Sequence, residues 1–552
     1  MRYPQTKHGF PVGSPSKPKS IQRIFRPTLG LHSGDMPQDL PPGFTPEARN
    51  FVTEQGAITP RSGLSRFGNF SVGAPVLGAD ELLDVNGNSM AVIGSALSLY
   101  HYHASNDSWS RLSYLPASTI TVNNPPSGNS TEYWQFAQIF DDSLNGYLGL
   151  ASNGTNFVKF FSVNASATTF SDFTWIYNID QTKAAKAISV LADRVVLFNS
   201  ISSAGTQHPT RVMWSARGLP RDFTRLNGAG YEDLVDMRGE GTACVRQQDS
   251  LMLFTDREIW VGQPTLDDYA FRFYRISDKL GCPFPRTAVS TPFGVLFVSR
   301  DLDVYVATPQ GEVQPISKLE DGTSRIASYL GNGLINANRS WAVYNAMKRR
   351  YELYYAHSES GQGFPTRALY YSIDDKSWMP QRFNHELSIG CDLKDPGTLT
   401  TWNDLTQTFD SFDRAWDSIA AGDERRDVMP FSSGGTAYRL LSTQTTDDGT
   451  AIDARWRSHG LARGMEQTHL TEVWLDYSVA SNSSVSMWPT ADYGATFGTP
   501  AALSLVSTKR QTFIPTWVTG QSPQFELRVA DGSQPRIQRV QATLLPAGKF
   551  RG

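Results

Sequence analysis

The chain is poor in cysteine, in charge and in helical signal. Its 552 residues hold three cysteines, Cys244, Cys282 and Cys391, odd in number and far apart. No C-x-x-C spacing occurs, so neither a disulfide framework nor a zinc knuckle is indicated, and reduced thiols in a protein folding in a cytoplasm are expected. No apolar run reaches the ~18 residues of a spanning helix. The first residues, Met1-Arg2-Tyr3-Pro4-Gln5-Thr6-Lys7, lack the apolar stretch of a signal peptide. The expectation is a chain neither secreted by that route nor membrane-spanning. Charged residues make up 19% with a net charge of −3, which excludes a polycation that coats nucleic acid. The one helical-looking stretch, Lys183-Ala184-Ala185-Lys186-Ala187, runs into Ile188-Ser189-Val190-Leu191 and reads as the start of a strand.

Catalytic signatures are missing as well. There is no Gly-rich phosphate loop, no G-x-S-x-G and no H-E-x-x-H. Nine histidines are scattered; His101 and His103, on one face of a strand, read as an exposed pair rather than a metal site. The acidic pairs Asp374-Asp375, Asp447-Asp448 and Glu320-Asp321 sit in turn contexts. The expectation is a chain that is not an enzyme and that uses no cofactor and no metal.

What is present is β texture: 45 Gly, 32 Pro and 12% aromatic residues. Two stretches follow one template 156 residues apart. Leu197-Phe198, ten residues, then Pro209-Thr210-Arg211-Val212-Met213-Trp214 returns as Leu353-Tyr354, ten residues, then Pro365-Thr366-Arg367-Ala368-Leu369-Tyr370. Between them lie the hairpins Leu251–Phe254 with Ile259–Val261, and Val295–Val298 with Val304–Val306. The returning aromatics Trp214, Trp260, Tyr305 and Tyr370 are 46, 45 and 65 residues apart. A period of roughly 40–50 residues with one multi-strand unit per period is the signature of propeller blades.

At this length two or more domains are expected. The reading is an all-β chain: a β-propeller of about six blades with an N-terminal extended arm and a C-terminal β-sandwich-like domain. Residues 1–50 form a basic docking arm carrying Arg2, Lys7, Lys17, Lys19, Arg23 and Arg26, with no acid before Asp35. Residues 51–390 form the propeller. Residues 391–449 form a connector with Trp402, Phe409 and Trp416 seven apart, candidate protomer-contact aromatics, and a return hairpin at Phe431–Tyr438. Residues 450–552 form the sandwich-like domain, with strand cues such as Glu472–Tyr477 and Phe525–Val529. Lys348-Arg349-Arg350, the dense basic cluster of the ordered region, falls at a hairpin tip: a solvated turn, or a contact to a passing phosphate backbone.

The segments "EARNFVTEQGAITPRSGLSRFG", "PTRVMWSARGLPRDFTRL", "DSLMLFTDREIWVG", "ISDKLGCPFPRTAVSTPFGVLFVSRDLDVYVA" and "TWNDLTQTFDSFDRAWDSI" together resemble the tail nozzle (tail tubular protein B-like, DNA-stabilisation) proteins of short-tailed bacteriophages. The resemblance covers about residues 40–440 as a pattern of strand cues. It implies a structural virion protein of a podovirus-like tail, assembled in the host cytoplasm. Six copies would form a ring below the portal adaptor, retaining packaged DNA and conducting it at ejection. Implied partners are the other copies of a homo-hexamer, the head-to-tail adaptor, tail fibre or tip proteins, and double-stranded DNA passing without sequence specificity. The alternative is a glycan-binding or glycan-cleaving propeller appendage of the tail; Asp107-Ser108-Trp109 and Ser372–Trp378 are crude relatives of the sialidase S-x-D-x-G-x-T-W box.

Overall fold

The computed structural model describes residues 20–96, 98–103, 108–114, 132–164, 169–172, 182–265, 270–394, 426–441, 444–462 and 467–547. Seven sheets stand around one axis. Their first strands are Val76–Leu83, Gln135–Asp141, Thr182–Leu191, Gly241–Gln247, Val289–Thr291, Trp341–Asn345 and Leu387–Lys394. Each touches the next, and the last touches the first, so the ring is closed. The chain is a β-propeller of seven blades, one more than the 156-residue spacing suggested.

The template and its repeat are the second and third strands of blades three and six: Arg194–Ser202 with Gln207–Trp214, and Arg350–Tyr355 with Arg367–Ser372. Apolar runs are continuous here because both faces of a middle blade are covered, while side chains still alternate. In blade four, Leu251 and Leu253 pack toward blade three with Phe198 and Trp214. Met252 and Phe254 pack the other way, on Val295 and Phe297 of blade five. Thus each strand supplies two interfaces, and each buried large side chain stabilises by about 1.5–3 kcal/mol.

The extra blade is composite. Leu387–Lys394, Arg426–Ser432 and Thr436–Leu441 are completed by Gly63–Ser71 from the other end of the propeller sequence, with Leu64 opposite Leu440 and Gly63 opposite Leu441. Backbone hydrogen bonds thereby fasten the ring. The return hairpin expected at Phe431–Tyr438 is the middle of this blade.

The second domain is a pair of sheets around Trp456, Phe525, Leu475 and Val540. One sheet holds Thr468–Ser478, Gln511–Gly520 and Arg536–Pro546; the other holds Ala454–Arg457, Ser483–Thr490, Ala501–Leu505 and Gln524–Val529. Both borrow N-terminal strands. Ile21–Phe25 and the hairpin Phe51–Glu54/Ala57–Pro60 join the first sheet, and Ala48–Arg49 joins the second. Gln55 and Gly56, both at positive φ, make the tight turn of that hairpin.

Three expected boundaries are therefore corrected. The propeller does not end at residue 390: Leu387–Lys394, Arg426–Ser432 and Thr436–Leu441, expected in part as a connector, are blade strands. Residues 51–60 belong to the sandwich, not the propeller. Residues 20–50 are no free arm, because they lie on their own chain. Gly30–Leu31 runs parallel to the outer strand of blade six, Gly30 opposite Trp378, and covers backbone groups an edge strand would leave open. Buried Arg325 holds that segment, donating to the carbonyls of Leu29, Leu31 and Lys376. Its burial lowers the guanidinium to about 10. Among the described residues no helix is long and apolar enough to cross a membrane.

Candidate functional site: the propeller channel and the basic cleft

The first strands of all seven blades line a cavity of about 430 Å³ on the propeller axis. Convergence of seven strands demands small side chains, and Gly78, Ala79, Ala137, Ala243, Ala288, Ala342 and Gly390 supply them. A Cβ on Gly78 would stand 2.5 Å from the Trp134 carbonyl oxygen and 2.6 Å from its Cβ. Glycine at that position lets Trp134 seat between blades one and two, its Nε1–H donating to the Ser95 carbonyl at 2.8 Å.

Three charged residues line this cavity: Asp80, Arg246 and Arg286. Arg286 sits in the turn Pro285–Thr287 that leads into blade five. It lies 3.3 Å over the ring of Tyr133, which leads into blade two, and donates to the Asn338 carbonyl ahead of blade six. Blades two and five stand on opposite sides of the ring, so this pair bars the mouth of the channel. Desolvation pulls the Arg286 pKa below its ordinary value.

Asp80 is half-buried on the first strand of blade one and accepts the Glu81 N–H at 2.8 Å. Burial pushes its carboxyl up to about 7; the Glu81 N–H opposes, the Glu81 charge adds to the rise, and Arg426 opposes it. Arg426 binds Glu81 at 2.5 Å and Asp392 at 3.2 Å, linking blades one and seven.

The basic triplet is split three ways. Arg349, exposed at φ 45°, pairs with Asp374 at 3.3 Å and lies 5.7 Å over Phe293. Lys348 is half-buried and lines a cleft of about 200 Å³ between blade six and the sandwich, with Glu54, Arg61, Arg350 and Arg536. Arg350 is corrected: it does not face outward to DNA. It is only 5% exposed, because it opens a strand on which Arg350, Glu352 and Tyr354 share one face. Its guanidinium donates to Glu352 Oε1 at 2.6–2.9 Å and stacks 4.2 Å over Tyr370. Tyr354 donates its hydroxyl to Glu352 Oε2 at 2.8 Å. Behind them, buried Arg61 forks onto Asp447 at 2.8 and 2.5 Å. Both acids of the Asp447-Asp448 pair are thus ion-paired, Asp448 at positive φ in the turn with Arg66 at 2.9 Å.

Arg23 and Arg26 are exposed, Arg23 on a paired strand and Arg26 just after it. Arg2, Lys7, Lys17 and Lys19, and the aromatics Trp402, Phe409 and Trp416, lie outside the described residues. His101 is buried, which corrects the exposed-pair reading. Among the described residues no cluster of three His, Cys, Asp or Glu is placed to hold a metal.

The outer face of the sandwich carries a further feature. Trp517, 66% exposed, stacks on His469 across the strand pair at 4.8 Å, and Phe513, 46% exposed, stacks on Trp474 at 4.8 Å. The Arg539–Asp476 ion pair stands on the same sheet at 2.5 Å.

No family model matches the chain, and no curated protein matches it. Among solved structures it aligns with an exo-β-1,3-galactanase from Phanerochaete chrysosporium with galactose, over 77% of this chain and 98% of that one, at 9% identity and a TM-score of 0.25. A variant of the same enzyme with β-1,3-galactotriose aligns over 74% and 99%, at 10% identity and a TM-score of 0.23. Similarity at this level carries no argument about substrate, and the propeller rests on the strand order given above. One expectation is nonetheless corrected. The expectation that this chain is not an enzyme is withdrawn. The physical reason is plain: a propeller draws its channel groups from separate blades, as Asp80 and Arg286 are drawn, so a missing contiguous motif excludes no catalytic set.

The sequence reading missed Asp80, Tyr133 and Arg286. The one local signal was Cys282-Pro283-Phe284-Pro285-Arg286, a proline-bounded loop presenting an arginine just ahead of an apolar strand.

Proposed function

We propose that the chain is a structural subunit of the tail nozzle of a short-tailed bacteriophage. Six copies would ring the axis below the portal adaptor, hold the packaged DNA in and conduct it at ejection. The observation that carries this reading is the build of the subunit. The ring of blades is shut by Gly63–Ser71, and the same N-terminal stretch pairs into both sandwich sheets. Such a wedge packs around an axis without deforming, and the sequence resemblance points the same way. Lys348 and Arg349 are the residues proposed to meet passing phosphates, and residues 1–19 with Arg23 and Arg26 to meet the adaptor. Electron microscopy of the purified chain mixed with tail-less, adaptor-bearing capsids tests it. Six-fold rings at one vertex are expected for the intact chain and none after removal of residues 1–19, which leaves every described strand in place. Attachment unaffected by that deletion removes the arm's role; no ring under any condition removes the nozzle.

A second reading is a glycan-acting appendage. Asp80 favours it, since a channel carboxyl that keeps its proton to about 7 is in the state of a general acid. The exposed Trp517 and Phe513 rings favour it as a surface for sugar stacking. Depolymerase assays and glycan arrays decide: silence on both dismisses it, and cleavage lost in Asp80→Asn supports it.

A further inference from the structure

The channel holds a half-buried positive charge with no carboxylate paired to it among the described residues. Arg286 spends one Nη donor on the Asn338 carbonyl, while its Nε is sealed from solvent without a partner. Among the described residues no carboxylate pairs with it. The groups that act on it are the neutral Tyr133 hydroxyl, which also hydrogen-bonds it, and another cation, Arg339. Asp80, the one carboxyl lining the same cavity, is engaged with Glu81 and Arg426 instead. Isolated charges out of water are costly, and removal of a counter-charge is what makes them so. A guanidinium is also the side chain whose fork matches two oxygens of one anion.

We infer that the propeller channel binds an oxyanion beside Arg286, either a tetrahedral phosphate-type group or a carboxylate. The cavity volume of about 430 Å³ accommodates such a group together with its waters. Ten of the lining residues are alanine, glycine or valine, and these small side chains leave room beside the guanidinium. Gln135 also lines the cavity; its Oε1 is taken by the Ile188 N–H at 3.1 Å, which leaves its NH₂ as a second donor. The Tyr133 ring covers one face of the guanidinium, so the anion meets the edge of the fork rather than its plane. This site is independent of whether the chain is a nozzle subunit or a glycan-acting appendage.

The test is thermal unfolding of the full chain in sodium sulfate, sodium acetate and sodium chloride at matched ionic strength. Sulfate is chosen because it keeps its double charge across the working range. A ligand that binds only the folded state raises the transition temperature along a saturable curve. The expected result is a saturable rise in sulfate or acetate beyond chloride; sulfate alone assigns a phosphate-type group, and acetate alone a carboxylate. Arg286→Gln is expected to flatten the response, and Arg286→Lys to retain part of it. If Arg286→Gln does not fold, calorimetric titration of sulfate and acetate into the natural chain and into Arg286→Lys replaces it, with weaker binding expected in the variant. Equal transition temperatures in all three salts, or an undiminished response in Arg286→Gln, overturns the inference.

Discussion

Arg286 lies 3.3 Å above the ring of Tyr133 across the mouth of the propeller channel. The two residues stand 153 positions apart in the sequence and lead into blades on opposite sides of the ring. Their contact is therefore a cross-brace rather than a local turn. A desolvated cation–π pair contributes roughly 0.5–2 kcal/mol. Tyr133→Leu is expected to lower stability by about that amount, while Tyr133→Phe, which keeps the ring, stays near the natural chain. Urea unfolding followed by tryptophan fluorescence measures both; equal losses would mean that the ring face is idle.

The Arg61–Asp447 pair is buried on both sides. Removing one partner strands the other charge, at a cost of about 3–5 kcal/mol. Asp447→Ala and Arg61→Met are each expected to lower the unfolding midpoint steeply. The double variant should be less damaged than the sum of the two, and the coupling energy from that cycle is the measured quantity.

Asp80 is expected to make stability fall with rising pH. Its carboxyl is held up to about 7 in the fold, against about 3.9 for an unfolded aspartate. Between those values the folded chain keeps a proton that the unfolded chain has lost, so the fold binds more protons and loses stability as pH rises. The full effect is at most about 4 kcal/mol, present below the unfolded value and gone above the folded one. Asp80→Asn should flatten the slope of transition temperature against pH from 4 to 7.5. An unchanged slope would place the titration elsewhere, with Glu81, Asp392 and Arg426 the charged groups around it.

Closure of the ring depends on Leu64, fully buried opposite Leu440 in the composite blade. Leu64→Ala is expected to cost about 2–5 kcal/mol. Hydrogen exchange should show lost protection in Thr436–Leu441 before any change in blades three to five. Uniform loss across all blades would mean that the ring melts as one unit.

The cysteines give a simple probe of the core. Burial pushes the Cys244 and Cys282 thiols up to about 12 and raises Cys391 as well, so none forms the reactive thiolate near neutral pH. Thiol reagents should modify none of the three in the native chain and all three in denaturant. Fast native labelling would show that the blades open.

The blades were legible in the sequence because strands covered on both faces, such as Leu251–Phe254, are continuous apolar runs that no solvated strand would carry. The seventh blade was not, because Gly63–Ser71 finds its partner at Thr436–Leu441 and no period connects them. The same long-range pairing hid the fate of residues 20–50, whose composition is that of a free arm. At the candidate site, alternation along Arg350, Glu352 and Tyr354 was the readable sign of burial, outweighed by the look of three consecutive basic residues. Arg286, Tyr133 and Asp80 meet only through the ring, so no window along the chain contains them together.

The most direct test of the nozzle account is electron microscopy of phage particles made when this gene carries a stop codon. The account predicts capsids that keep the portal, lack the stub below it, and are empty of DNA or leaking it. DNA-filled particles with a complete stub that merely fail to adsorb would contradict it.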